Sequence, residues 1–190
     1  MTHRLDPLLR PRSVAVIGAS VREDSMGDWV LRNLERSGFD GNVYPVNPGY
    51  DEVRGRECFS SISDLPEAPD LAIFAIGDHR LEASVDEAIA KGVRAAVIHS
   101  SLFLDVDTEP PLKERLRQKL AEAGMLVCGG NGMGFYNIRD NVWACGFDSR
   151  KHPPGGNAAI ISQSGSGMCG LSLIHISEPT RRTPISYAVF

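Results

Sequence analysis

The segment from Gly18 to Gly27, GASVREDSMG, has the composition of a loop that binds phosphate. Gly18 permits a tight turn, and the hydroxyls of Ser20 and Ser25 can donate hydrogen bonds to an anion. The segment lies between a β-branched run and a helix, where backbone N–H groups and the positive end of a helix dipole converge. It therefore predicts an anion site, and a glycine turn with a helix cap and no ligand is the alternative.

A regular alternation of strands and helices must position this loop. Short apolar runs predict five buried strands: SVAVIG (13–18), NVYPV (42–46), LAIFAI (71–76), VRAAVI (93–98) and MLVC (125–128). Apolar residues at helical spacing separate several of these runs, and Ser25 with Asp28 has the S-x-x-D form of a capping box. This order predicts an α/β fold with a Rossmann-like doubly wound parallel sheet, whose ligands bind where the strands end.

The sequence after the fifth strand indicates the end of one domain and the start of another. GGNGMGFYN (129–137) is too rich in glycine for a helix, and VWACGF (142–147) predicts a short strand. The segment 149–157 contains the Pro-Pro-Gly-Gly run of a linker, and AAIIS (158–162) predicts a new buried strand. We expect a domain over 1–148, a linker over 149–157 and the truncated start of a second domain over 158–171.

Composition excludes several classes of protein. The 190 residues are 42% hydrophobic and 23% charged, and no apolar run approaches the roughly 20 residues of a membrane span. The net charge of -4 gives no general attraction to nucleic acid. The four cysteines lack the spacing of a zinc site or a disulfide framework. We expect a cytoplasmic protein without an export signal, a metal site, a nucleic-acid partner or a membrane partner.

Two features argue against familiar uses of such a sheet. A dinucleotide site for NAD needs G-x-G-x-x-G and an acidic residue after the second strand, whereas this chain has Asn47 there. The G-x-S-x-G motif of hydrolases is absent as well. His79 and His99 follow predicted strands and can line a cleft or serve as ordinary structural residues, and Arg80 beside His79 could face phosphate. No catalytic residue is assigned.

Six segments in succession resemble the CoA-binding domain of NDP-forming acyl-CoA synthetases. This is the group of ADP-forming acetate–CoA ligases, related to the α subunit of succinyl-CoA synthetase. The resemblance extends over about residues 8 to 168. It implies that the second domain, which begins at 158, is flavodoxin-like and similar to that of succinyl-CoA synthetase. Its segments are RSVAVIGAS (12–20), GNVYPVNP (41–48), SISDLPEAPDLAIFAI (61–76), GVRAAVI (92–98), GGNGMGFYN (129–137) and GNAAIISQSGS (156–166).

The resemblance implies coenzyme A or acyl-CoA as the ligand and assigns positions to it. The loop at Gly18 and the helix start at Ser25 would hold CoA phosphates, the segment 46–50 would lie beside the nucleotide, and the loops after the third and fourth strands would line the rest of the cleft. The candidate contacts are Gly18, Ala19, Ser20, Ser25, Met26, Gly27, Asn47, Pro48, Tyr50, Ile76, Gly77, His99, Ser100 and Ser101.

Three triplets or quartets depart from the family pattern. Its V-P-A after the third strand is Ile76-Gly77-Asp78 here, its S-A-G after the fourth strand is Ser100-Ser101-Leu102, and its G-P-N-C is Gly129-Gly130-Asn131-Gly132. These differences concern the pantetheine channel and the choice of acyl group more than the fold.

The resemblance also implies what this chain leaves out. In complete family enzymes, an acid, CoA and ATP give acyl-CoA, ADP and phosphate through an acyl phosphate and a phosphohistidine. That histidine and the ATP-grasp region that handles ATP, ADP and magnesium lie beyond the loop matching 163–165. We expect a CoA-binding N-terminal fragment of such a ligase, whose full-length form is a homo- or hetero-oligomer. A regulatory CoA-binding module, as in an acetyltransferase fusion, and an NAD(P)-binding oxidoreductase domain are the alternatives.

The final segment, 172–190, differs in character from the rest. SLIHISEPTRRTPISYAVF has two prolines, an arginine pair and no helical stripe. It resembles the translated read-through of a short-read sequencing adapter. We expect these residues to be non-native and the chain to have been cut after the second domain begins.

Overall fold

The computed structural model describes residues 3–149, 159 and 161–162. Within them a parallel sheet is flanked by helices. In chain order the elements are α1 (Asp6–Leu9), β1 (Ser13–Ile17), α2 (Met26–Ser37), β2 (Asn42–Val46), β3 (Glu52–Val53), β4 (Arg56–Glu57), β5 (Leu71–Phe74), α3 (Asp78–Lys91), β6 (Ala95–Ile98), α4 (Leu112–Glu122), β7 (Leu126–Gly129), β8 (Gly134–Asn137) and β9 (Val142–Cys145).

The central sheet has five parallel strands in the order β2-β1-β5-β6-β7. The predicted Rossmann-like α/β class is confirmed, and the five predicted strands are all present with small shifts of their ends. The chain leaves β1 toward one edge of the sheet to form β2 and then returns to the other side as β5. Doubly wound sheets bind ligands at such a reversal, so the carboxyl ends of β1 and β5 mark the expected site.

Burial on both faces explains why the strand residues are apolar without alternation. Every residue of β1, β5 and β6 is buried. Ile17, Phe74 and Ile98 pack on the side of α3 and α4. Their neighbours Val16 and Ile73, one residue earlier in each strand, pack on the side of α2. Successive side chains point to opposite faces of a strand, so both layers of helices rest on the same short runs.

Helix α2 begins as the capping box predicts, but only half of the box is formed. The Ser25 hydroxyl oxygen accepts a hydrogen bond from the Asp28 N–H at 3.3 Å. The Asp28 carboxylate, which is buried, instead accepts hydrogen bonds from Arg32 at 2.7 Å and from Arg54 at 3.1 Å. Two guanidinium groups therefore compensate a negative charge that would otherwise disfavour an anion at this helix start.

The glycine-rich segment after β7 contains a strand that the sequence did not reveal. The predicted strand at 142–147 is confirmed as β9, and it pairs antiparallel with β8 in a hairpin apart from the central sheet. At Gly134 φ is +90°, and a β-carbon there would lie 1.9 Å from the Ala144 carbonyl oxygen. Glycine is required because the two backbones approach too closely for any side chain.

The predictions about membrane spans and about the segments after residue 149 differ in how far the described residues test them. No helix among the described residues is long and apolar enough to cross a membrane. Most of the predicted linker, most of the start of the second domain and all of the segment 172–190 lie outside the described residues. The domain boundaries therefore stay predictions.

Candidate functional site

A cleft opens where the carboxyl ends of β1, β2 and β5 meet. Its volume is about 170 Å³. Four of the predicted site residues line it: Gly18, Asn47, Pro48 and Ile76. The others in the lining are Ile17, Val46, Ser60, Ser61, Ile62, Arg80, Ser84 and Glu87. The cleft thus lies at the reversal of strand order, as the topology requires.

Two glycines bring the β1–α2 loop against the start of α2. Gly18 has φ of +89°, and a β-carbon on it would lie 2.4 Å from the Ala75 carbonyl oxygen. A β-carbon on Gly27 would lie 2.0 Å from the Gly18 carbonyl oxygen. The first turn of α2 therefore packs directly on the turn after β1, with no side chain between them. Backbone N–H groups at a bare helix start are good ligands for phosphate.

Asn47 joins this loop to the end of β2. Its Nδ2 donates to the Ala19 carbonyl oxygen at 2.7 Å, and its Oδ1 accepts from the Gly49 N–H at 3.0 Å. A carboxylate at the same position could not donate to that carbonyl. In the sequence Asn47 marked the absence of an acid, and the family resemblance made it a candidate contact of CoA. The structure adds that its amide joins the end of β2 to the β1–α2 loop.

The two loop serines differ in what they leave free for a ligand. The Ser25 hydroxyl donates to the Arg22 carbonyl oxygen at 2.8 Å, so its proton is already used. Ser20 accepts a hydrogen bond from the Arg22 N–H at 3.0 Å, and its own O–H has no acceptor among the described residues. Ser20 is therefore the better donor to an anion. Met26, which follows Ser25, is exposed.

The predicted contacts on the next two loops hold those loops to each other. The Ser100 hydroxyl donates to the Ile76 carbonyl oxygen at 2.7 Å, and the Ser101 hydroxyl donates to the Asp78 carboxylate at 2.6 Å. Gly77, between Ile76 and Asp78, is the N-cap residue of α3. Neither serine lines the cleft, and Tyr50 packs beside the α2 layer instead. Their contact with a ligand stays a prediction.

His99 is buried away from the cleft, with 7% of its surface exposed. Its Nδ1 lies 2.9 Å from the Gly132 carbonyl oxygen, which can only accept, so Nδ1 carries the proton and Nε2 is an unprotonated acceptor. Nε2 has no partner among the described residues. Gly146 leaves room for the ring, since a β-carbon there would lie 3.0 Å from Nδ1. Burial lowers the pKa of His99.

The buried imidazole should make folding stability depend on pH. The unfolded chain takes up a proton near the ordinary pKa of 6.5, while the folded chain resists protonation until lower pH. Stability should therefore be unaffected above that value and fall below it, by at most about 1.4 kcal/mol per pH unit from this residue. Urea denaturation between pH 5.5 and 8 measures the slope.

Two variants isolate that effect. His99→Gln keeps a donor for Gly132 but cannot titrate, so it should flatten the slope below pH 6.5. His79→Gln changes an exposed histidine and should leave the slope in place. An unchanged slope in the His99 variant would assign the pH dependence to other groups.

The cleft also contains residues that the sequence did not single out as ligands. Ser60 and Ser61 reach it because Phe59 runs beside β2, donating its N–H to Pro45 and accepting a hydrogen bond from Asn47. Nothing in the local sequence marks this segment, since it has no strand pattern of its own. Ser84 enters from α3, one helical turn after Arg80, and the i, i+4 spacing is the only signal that could have predicted it.

Comparisons with known proteins agree with this geometry. A family model described as "CoA binding domain" matches residues 12–137. A trans-feruloyl-CoA synthase from an unknown prokaryotic organism is 38% identical over 168 residues, which are 86% of this chain and 24% of that protein. The α subunit of acetate–CoA ligase [ADP-forming] II from Pyrococcus furiosus is 35% identical over 176 residues, 92% of this chain and 37% of that one.

A solved structure agrees at the level of the fold. The dinucleotide-forming acetyl-coenzyme A synthetase 1 of Candidatus Korarchaeum cryptofilum, in complex with phosphate and ADP, superimposes with a TM-score of 0.83 at 33% identity. The match covers 97% of this chain and 39% of that one. The chain thus spans about a quarter to two fifths of these relatives. The family match over 12–137 takes in β1, the glycine loop and the cleft, and this chain belongs to the CoA-binding domain family.

Proposed function

We propose that this chain binds coenzyme A along the carboxyl edge of its sheet, as the CoA-binding part of an ADP-forming acyl-CoA synthetase. The observation that carries the proposal is the direct packing of Gly27 on Gly18, which brings the first turn of α2 and its backbone N–H groups against the loop at the cleft. CoA needs such a site because its diphosphate carries charge that backbone N–H groups can bind without a metal.

Two neighbouring regions would bind different parts of CoA. The loop 18–27 would hold the diphosphate through backbone N–H groups and the free hydroxyl of Ser20. The adjoining cleft, bordered by Asn47 and Pro48, would hold the adenosine end, because the ribose of a bound nucleotide lies at the carboxyl end of the second strand in folds of this kind. This chain would therefore bind and orient CoA, with acyl transfer depending on other parts of the protein.

For the whole protein we propose the reaction of acid, CoA and ATP to acyl-CoA, ADP and phosphate. Relatives at 32–38% identity carry the names of acetate, 4-hydroxybutyrate and feruloyl ligases or synthases. The same domain thus occurs with different acyl groups, which supports a choice of acid made elsewhere. Two Pyrococcus relatives are named as α subunits, which supports an oligomeric assembly. We propose the cytoplasm as its location, since the reaction consumes CoA and ATP.

Calorimetry on the 190-residue chain tests the proposal. We expect CoA to bind with an affinity in the micromolar range or tighter, and NADH to bind at least 10-fold more weakly, because the second strand ends in Asn47 without a carboxylate for the ribose diol. Hydrogen exchange with and without CoA should show added protection in the loop 18–27. Tight NADH binding without a response to CoA would contradict the proposal, and so would protection confined to the opposite edge of the sheet.

A further inference from the structure

The wall of the cleft formed by α3 carries a cation, Arg80, that has no ion-pair partner among the described residues. Arg80 and Ser84 are four residues apart, so they lie on one face of α3, and both line the cleft with Pro48. We propose that Arg80 binds the 3′-phosphate on the ribose of CoA and thereby makes the site selective for CoA over dephospho-CoA. This inference rests on the proposed CoA site and assigns one of its groups.

The surroundings of Arg80 leave its guanidinium available. It is exposed and makes no ion pair among the described residues. Two acids are nearest to Arg80 in sequence, Asp78 and Glu82. Asp78 is occupied by the Ser101 hydroxyl and by the Leu102 N–H at 2.8 Å, and Glu82 pairs with Arg115 at 2.7 Å. Glu87 also lines the cleft, seven residues further along α3, and its carboxylate accepts a hydrogen bond from the Ser63 N–H at 2.8 Å.

Other cations on the same helical layer show what a structural role looks like here. Arg115 forms ion pairs with Glu82 at 2.7 Å and Asp107 at 2.9 Å, and Lys119 pairs with Asp86 at 2.7 Å. These pairs tie α3 to α4 and to the loop before it. Among the described residues Arg80 forms no such ion pair, and it lines the cleft.

The chemistry around Arg80 suits a ribose phosphate. Two hydroxyls, from Ser60 and Ser84, line the same small space and can donate to phosphate oxygens, whereas the Ser61 hydroxyl already donates to the Asp64 carboxylate at 2.8 Å. A planar guanidinium can bind a phosphate through two parallel hydrogen bonds. Asn47 at the end of β2 is neutral, whereas the carboxylate that NAD sites have there would repel a phosphorylated ribose.

A comparison of CoA with dephospho-CoA tests the assignment directly. On the 190-residue chain, calorimetry should give tighter binding of CoA than of dephospho-CoA. In Arg80→Gln we expect the affinity for CoA to fall about 10- to 100-fold, with little change for dephospho-CoA, because a charge-assisted bond to the 3′-phosphate is lost. Arg80→Lys should recover part of the loss. Arg139→Gln removes an exposed arginine of the β8–β9 hairpin and should change neither affinity.

The possible results separate this inference from the proposed function. If Arg80→Gln lowered the affinities for CoA and dephospho-CoA by the same factor, the 3′-phosphate assignment would be overturned. The proposal that the chain binds CoA would still stand. Unchanged affinities for both would place the phosphate elsewhere. Absence of CoA binding by the unsubstituted chain would overturn the proposed function, and the assignment with it.

Discussion

Gly18→Ala is expected to destabilise the domain by about 2 to 5 kcal/mol. Two costs add at this position. An L-residue at φ of +89° is strained, and its β-carbon would lie 2.4 Å from the Ala75 carbonyl oxygen and 2.8 Å from the Ile76 side chain. The backbone at Ala75, the residue after β5, is held beside β1 because its N–H donates to the Ile17 carbonyl oxygen at 2.8 Å, so moving it aside would cost a backbone hydrogen bond.

Urea denaturation of the purified variant measures this loss, and Gly38→Ala provides the matched control. Gly38 ends α2 with φ of +74°, and a β-carbon there would meet nothing within 4 Å. In the control the free energy of unfolding should fall only by the strain of an L-residue at positive φ, about 1 to 2 kcal/mol. Equal decreases in the free energy of unfolding of both variants would show that the structure relaxes the contact between the added β-carbon and the Ala75 carbonyl oxygen. Because Gly18→Ala disturbs the fold itself, loss of CoA binding in this variant would not identify a phosphate contact, and Gly18→Val would be less informative still.

Asn33→Ala should produce the second large effect, a decrease of about 2 to 4 kcal/mol in the free energy of unfolding. Asn33 lies on α2 and is completely buried. Its Nδ2 donates to the Cys145 carbonyl oxygen at 3.1 Å and the Phe147 carbonyl oxygen at 2.7 Å, and its Oδ1 accepts from the Ser149 N–H at 3.2 Å. In the alanine variant these backbone groups lose their hydrogen bonds to the Asn33 side chain. A buried polar group that lacks a hydrogen-bond partner lowers the free energy of unfolding.

Chemical denaturation and hydrogen exchange together test that role. Exchange should accelerate at Ser149 in particular, because its N–H loses the Asn33 oxygen. Asn42→Ala is the control, since the Asn42 side chain is exposed and its bond to Glu67 is 3.2 Å long, so the loss should stay below about 0.5 kcal/mol. If exchange at Ser149 were unchanged in Asn33→Ala, the segment after β9 would be held by other contacts.

Asn33 links the helix of the glycine loop to the end of the described domain. The carbonyl groups it binds belong to the end of β9 and the residues that follow it, and Gly146 among them packs on His99. Helix α2, the segment after β9 and the imidazole that follows β6 are therefore joined by one series of contacts. A polar residue within an amphipathic helix gives no sequence signal for such a role, since its partners lie more than 100 residues away.

The sequence by itself determined the sheet, its helices and the position of the glycine loop between β1 and α2. Apolar runs such as LAIFAI, the stripe at Leu112, Leu116 and Leu120, and the Gly18–Gly27 loop each report a local requirement of burial or backbone conformation. Local requirements of this kind can be read from periodicity and from glycine positions, so the fold class and the edge of the sheet with the cleft followed from them.

Only the tertiary structure decided which side chains meet at that edge. The bond from Asn47 to Ala19, the burial of His99 under Gly132, the pairing of β8 with β9 and the position of Arg80 over the cleft all join segments that are distant in sequence. Such contacts depend on how loops converge after the strands have paired, and a short polar segment carries no periodicity that specifies its partner. The residues that would give the site its selectivity are therefore the ones that periodicity leaves undetermined.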